Sequence, residues 1–116
     1  MITWIIEQIQ DWFHCIKLKR HRLEILEETK YICFEYSGLC SAIHGAMLDV
    51  CGVDCINIVD VFPLFTIQNA MQFDALNRSS NTSVGRYYFW WPRDDWSPDG
   101  GRMQFLDWLI EQYKEN

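Results

Sequence analysis

Cys40 and His44 stand four residues apart, and Cys51 and Cys55 follow, so one short stretch holds the ligand types of a Cys3His zinc site. The same groups are the raw material of a thiol nucleophile with an imidazole base, and Cys40/His44 and Cys15/His14 are the combinations by position. The spacing suits neither chemistry. Structural zinc sites bring their ligands in as two close pairs at turns, whereas these follow a loose helical rhythm. Neighbours at i and i+4 run side by side along a helix and seldom meet head-on with a third, orienting group. Free cysteine is also by habit a small buried hydrophobe. The chain has no G-x-S-x-G, Gly-rich phosphate loop, H-E-x-x-H or calcium loop. The residues point away from an enzyme: no catalytic residue, cofactor or metal is assigned, and a zinc-bound interaction module stands only as a second alternative.

Recognition chemistry is better served by Arg86–Arg102, which reads RYYFWWPRDDWSPDGGR. It is too aromatic for an idle loop and too broken by proline for a long helix. Trp, Tyr and Arg are the residues enriched at binding hot spots, which nominates Arg86, Tyr88, Trp90, Trp91, Arg93 and Trp96 as anchors. Asp94 and Asp95 complete the candidate binding surface. With Asp99 they could attract a cation, yet with Ser97 they equally suit capping and turning the chain before a final helix. The same aromatic–arginine set could stack a nucleobase and hold its phosphate, so a nucleotide-sequestering protein is the alternative function. If 86–91 is extended, Tyr87, Phe89 and Trp91 face one way and Tyr88 and Trp90 the other, so half of the stretch is expected in the core.

Composition narrows the classes. At 116 residues, with 49% hydrophobic and 16% aromatic residues, the chain is expected to form a single globular domain over 1–116. Its net charge of −6 argues against nucleic acid as a direct partner, because phosphate contacts need clustered cations. An acidic small domain is instead drawn to basic surfaces. Five cysteines cannot all pair within one chain, and the apolar N-terminal residues are interrupted by Glu7 and Asp11 without a leading basic region. No apolar run reaches the ~18–20 residues that span a bilayer, so the expectation is a cytoplasmic protein with reduced thiols and no membrane partner.

Positioning falls to helices. Ile2, Ile5, Ile6, Ile9, Trp12, Phe13 and Ile16 mark one apolar stripe on a helix that runs on more sparsely through Leu23 and Leu26, with a break into two helices near 17–21 expected as the alternative. That stripe is expected to be buried, although the stripe and the helix's two tryptophans also suit self-association into a homo-oligomer. The basic run from Lys17 to Arg22 reads either as an anion contact or, more plainly, as a solvated face paired with Glu24 and Glu27. Tyr31–Tyr36 is open between helix end and strand. Leu39, Ala42, Ile43, Ala46, Met47 and Val50 predict a core helix, with Ser37 as N-cap and Gly52 as its stop. Asp54–Phe62 is expected as a short helix capped by Asp54, and Phe65–Met71 as another with Thr66 as N-cap. After the polar loop Asn77–Gly85, Ser97-Pro98 is the expected start of the last helix, whose apolar face is Met103, Phe105, Leu106, Leu109, Ile110 and Tyr113. The predicted fold class is all-α, about five helices around one core, leaving room for a short β element near 86–91.

The order Gly38-Leu39-Cys40, then FPLFTIQNA over Phe62–Ala70, Tyr-Phe-Trp-Trp-Pro over Tyr88–Pro92, Arg102, and FLDWLI over Phe105–Ile110 carries a resemblance. Residues 37–113 resemble small uncharacterised proteins encoded in the early or accessory regions of tailed bacteriophages. The resemblance implies a non-enzymatic binding protein that inhibits a host defence system or other host machinery through stoichiometric protein–protein interaction. Its partner would be a host protein and its location the host cytoplasm. It carries no catalytic residues.

Overall fold

In the computed structural model the described residues are 2–36, 38–73, 77–78, 87–88 and 96–115. Along them run α1 (Ile2–Arg20), α2 (Arg22–Ile32), a 3-10 turn at Cys33–Glu35, α3 (Leu39–Cys51), a second 3-10 turn at Ile58–Asp60, α4 (Ile67–Met71) and α5 (Gly101–Lys114). A two-residue antiparallel ladder joins β1 (Asn77–Arg78) to β2 (Tyr87–Tyr88), with Asn77 opposite Tyr88 and Arg78 opposite Tyr87. The protein is all-α, and the expected short β element falls at Tyr87–Tyr88.

The core is a three-helix stack in which α2 packs on both α3 and α5. Each helix supplies one face at helical spacing. From α2 come Ile25, Leu26, Thr29 and Ile32; from α3, Leu39, Ala42, Ile43, Ala46, Met47 and Cys51; from α5, Phe105, Leu106, Leu109 and Ile110. The buried Thr29 hydroxyl donates back to Ile25 O at 2.7 Å, which removes the cost of an unpaired polar group. Lys30 reaches across to Asp107 at 2.6 Å, an exposed pair that adds little to stability.

Helix boundaries follow local chemistry. α1 and α2 part at His21, within the expected break, where the backbone N–H donates to Leu18 O and the ring lies against Lys17 O. Gly52 stops α3 at φ 73°, its N–H donating to Leu48 O at 2.9 Å, a left-handed cap that suits glycine. Thr66 caps α4 by accepting from Asn69 N at 3.2 Å. Ser37, expected to cap α3, lies outside the described residues; the position before the helix is Gly38.

Three expectations are corrected. Asp54–Phe62 is not a helix: only Ile58–Asp60 winds, closed by Phe62 N to Ile58 O at 2.8 Å. Ile58, Val61 and Phe62 are buried while Ile56 and Val59 face water, so a single turn seats the apolar groups that a longer β-branched helix would crowd. The last helix does not begin at Ser97-Pro98. Those residues form a turn closed by Gly100 N to Ser97 O at 2.9 Å, and α5 starts at Gly101. The turn lets Trp96 bury itself before the helix departs. The third correction is α1, whose stripe is not buried.

Candidate interaction surface

Of the eight residues nominated for binding, Arg86, Trp90, Trp91, Arg93, Asp94 and Asp95 lie outside the described residues. Tyr88 is placed only as the β2 position opposite Asn77. Trp96 belongs to the core and not to a surface: it is 1% exposed, and its indole N–H donates to Tyr36 O at 2.8 Å. The Arg102 guanidinium, itself fully buried, stacks over the indole at 4.5 Å. Tyr36 is in turn seated against α3 because Gly45 has no side chain; a Cβ there would fall 2.5 Å from the tyrosine Oη. Trp96 is thus a fixed part of the core.

The cysteine–histidine constellation does not assemble. Cys40 and His44 line a shallow hollow of about 420 Å³ with Ile58, Phe65 and Ile67. Burial pushes the Cys40 thiol up to about 11, so it is protonated at neutral pH and a poor nucleophile. Cys55, pushed to about 11 mainly by burial, turns to Met47 Sδ at 3.8 Å and Asn57 O at 3.2 Å, and Cys51 is buried in the core. His44 Nδ1 lies 3.7 Å from an Asp54 carboxylate oxygen, beyond hydrogen-bond length. Among the described residues no group of three or more His, Cys, Asp or Glu is arranged to hold a metal ion. The basic run is divided in role. Arg22 Nε donates to Val61 O at 2.6 Å and its guanidinium lies over the Tyr113 ring, while Lys17, Lys19 and Arg20 remain exposed.

What the fold does present is α1. Only Leu18 of this helix is buried. Ile2 is 75% exposed, Trp12 60%, Phe13 57%, and Ile5, Ile6 and Ile9 about half. Trp12 and Phe13 touch edge to face, with centroids 5.1 Å apart. At ~100° per residue, Ile2, Ile5, Ile6, Ile9, Trp12, Phe13 and Ile16 fall within an arc of roughly 120° centred on Ile9. Asp11, His14, Cys15 and Leu18 fall on the opposite side, toward the body: the first three line a hollow of about 430 Å³ against Asp54 and Cys55. The apolar stripe therefore faces directly away from its own core. The periodicity reveals such a stripe in sequence, but nothing local says what covers it. Among the described residues no helix is long and apolar enough to cross a membrane. Comparisons with protein-family models, with curated proteins and with solved structures find no match to this chain.

Proposed function

We propose that the protein is a non-enzymatic binding protein acting by stoichiometric protein–protein interaction, with α1 as its docking helix. One observation carries this reading: large apolar side chains in register at i, i+3, i+4 and i+7 point into water from a helix anchored at one end in a packed core. That is the arrangement by which a helix docks onto an apolar surface of a partner. An exposed contiguous patch of this kind marks an interaction site. The resemblance of residues 37–113 to small phage proteins supports a narrower form, an inhibitor of a bacterial host's defence or other machinery.

Native mass spectrometry of the protein purified from bacterial lysate tests this. The native chain is expected in a protein complex of defined stoichiometry, whereas Ile6→Glu combined with Phe13→Glu is expected as the free chain with unchanged circular dichroism. A complex that survives both substitutions removes α1 as the docking helix. A bound mass of nucleotide size in place of a protein would favour sequestration.

A further inference from the structure

We infer that the partner of the α1 stripe is a second copy of this chain, whose α1 lies antiparallel across it about a two-fold axis at Ile9. The inference rests on the reading of α1 as a docking helix and names its occupant. The stripe is a palindrome. Counting equal steps outward from Ile9, Ile6 matches Trp12, Ile5 matches Phe13 and Ile2 matches Ile16. Two antiparallel copies therefore place Ile5 against Phe13 of the partner subunit and Ile6 against Trp12 of the partner subunit, an isoleucine facing an aromatic at each level. Ile9 meets its own counterpart on the axis. A closed two-fold interface needs this self-complementarity, residue i meeting j while j meets i. The spacing also gives Ile2, Ile9 and Ile16 a seven-residue repeat, flanked by Ile5 and Trp12, the pattern of left-handed helix pairing at shallow angles.

The rest of the molecule permits and favours this arrangement. The stripe lies opposite Asp11, His14, Cys15 and Leu18, so a swing of α1 toward its own core would press the wrong side against it. In the pair, Ile2 lies level with Ile16 of the partner subunit, before α1 enters the core at Leu18. The two cores then sit on outer flanks at opposite ends and do not collide. A parallel pair would crowd both cores, and Lys17, Lys19 and Arg20 of both copies, at one end. Six half-exposed or more exposed side chains of the stripe offer on the order of 600 Å² per copy, or roughly 1,200 Å² across the pair, the lower edge of stable interfaces. A reversible dimer follows. A lipid surface is disfavoured because helices lying on anionic membranes carry Lys and Arg along the polar face, whereas α1 has Glu7 and Asp11 opposite the stripe and confines Lys17, Lys19 and Arg20 to its last turn. Those two lie off the stripe, and Gln8 and Gln10 flank it.

Sedimentation equilibrium of the full chain over micromolar concentrations should show the mass rising from 13.9 kDa toward twice that value. Ile9→Glu should weaken association by roughly 100-fold or more, because the charge meets itself on the axis. Trp4→Ala, off the stripe, should change it less than about threefold. Ile5→Glu and Phe13→Lys should each be monomeric, yet their mixture should dimerise, since antiparallel pairing sets Glu against Lys at one end and Ile against Phe at the other. Both positions are exposed, so in dilute protein the thermal melting of each variant is expected to match the native chain. A monomeric native chain, a dimer indifferent to Ile9→Glu, or a mixture that stays monomeric each overturns the inference. A monomer that instead forms an Ile9-dependent complex with another protein overturns it while sparing the docking reading. Cosedimentation of the monomer with anionic phospholipid vesicles overturns it in favour of a lipid surface.

Discussion

Trp96→Ala is expected to lower the free energy of unfolding by about 3–5 kcal/mol, the range for removing a buried large aromatic. Three losses coincide at this position. The side chain is 1% exposed, so its removal leaves a cavity that the helices around it can only partly close. The hydrogen bond to Tyr36 O at 2.8 Å disappears, leaving a carbonyl at the end of the Cys33–Glu35 turn short of a donor. The buried Arg102 guanidinium also loses the indole face 4.5 Å away, and a poorly covered cation inside a core is costly. Against a total stability of about 5–15 kcal/mol for a domain of this size, that loss approaches the limit of folding. Trp12→Ala provides the contrast. It deletes the same atoms from a site 60% exposed, and in dilute protein it should change unfolding by less than about 0.5 kcal/mol. Urea denaturation of the two variants reads both numbers. Equal costs would mean that Trp96 does not hold the core together as its burial implies.

Phe105→Ala is expected to cost a similar 3–5 kcal/mol, but its effect should spread in a different direction. Phe105 is fully buried on α5, with Phe65 at 5.5 Å, Phe73 at 5.9 Å and Trp108 at 6.1 Å between ring centroids, all at shallow interplanar angles. Such pairs contribute about 0.5–1.5 kcal/mol beyond the area they bury. They are also what clamps α4, only five residues long, onto α5. A helix that short is unstable without packing, so α4 should open first. Hydrogen exchange should show loss of protection in Ile67–Met71 ahead of α3. Phe105→Leu, which keeps most of the volume, should cost less than about 1.5 kcal/mol. Uniform loosening across α3 and α4 would contradict the clamp.

Elements whose ends are set by local chemistry were legible in the residues. The α3 face, the Gly52 stop, the Thr66 cap and the α5 stripe all emerge from spacing and side-chain type, because a helix that buries one face must repeat it every three to four residues. The break before α2 was legible only as an alternative to one continuous helix. What could not be read was destination. The α1 stripe has the same period whether or not its own core covers it, and only the position of Leu18 and the body-facing Asp11, His14 and Cys15 shows that the core does not. Asp54–Phe62 misled because its apolar residues fit one helical turn as well as two. Ser97-Pro98 has the chemistry of a helix start, but burying Trp96 requires a turn at that point. Arg102 was the missed residue. Its register with Phe105, Leu106 and Leu109 places it on the buried face of α5, where its guanidinium lies over the Trp96 ring. Of the candidate surface, Trp96 belongs to the core, and Arg86, Trp90, Trp91, Arg93, Asp94 and Asp95 lie outside the described residues.

Hydrogen–deuterium exchange in α1, followed against protein concentration with no other protein present, tests the account most directly. Residues 2–13 make no core contact through their apolar face, so in dilute protein their amides should exchange fast, as at a frayed helix end. As the dimer forms, protection in 2–13 should rise, while α2, α3 and α5 stay constant. Protection of 2–13 that is already complete at the lowest concentration would mean that α1 packs on its own chain. Fast exchange at every concentration would mean that no second copy covers the stripe.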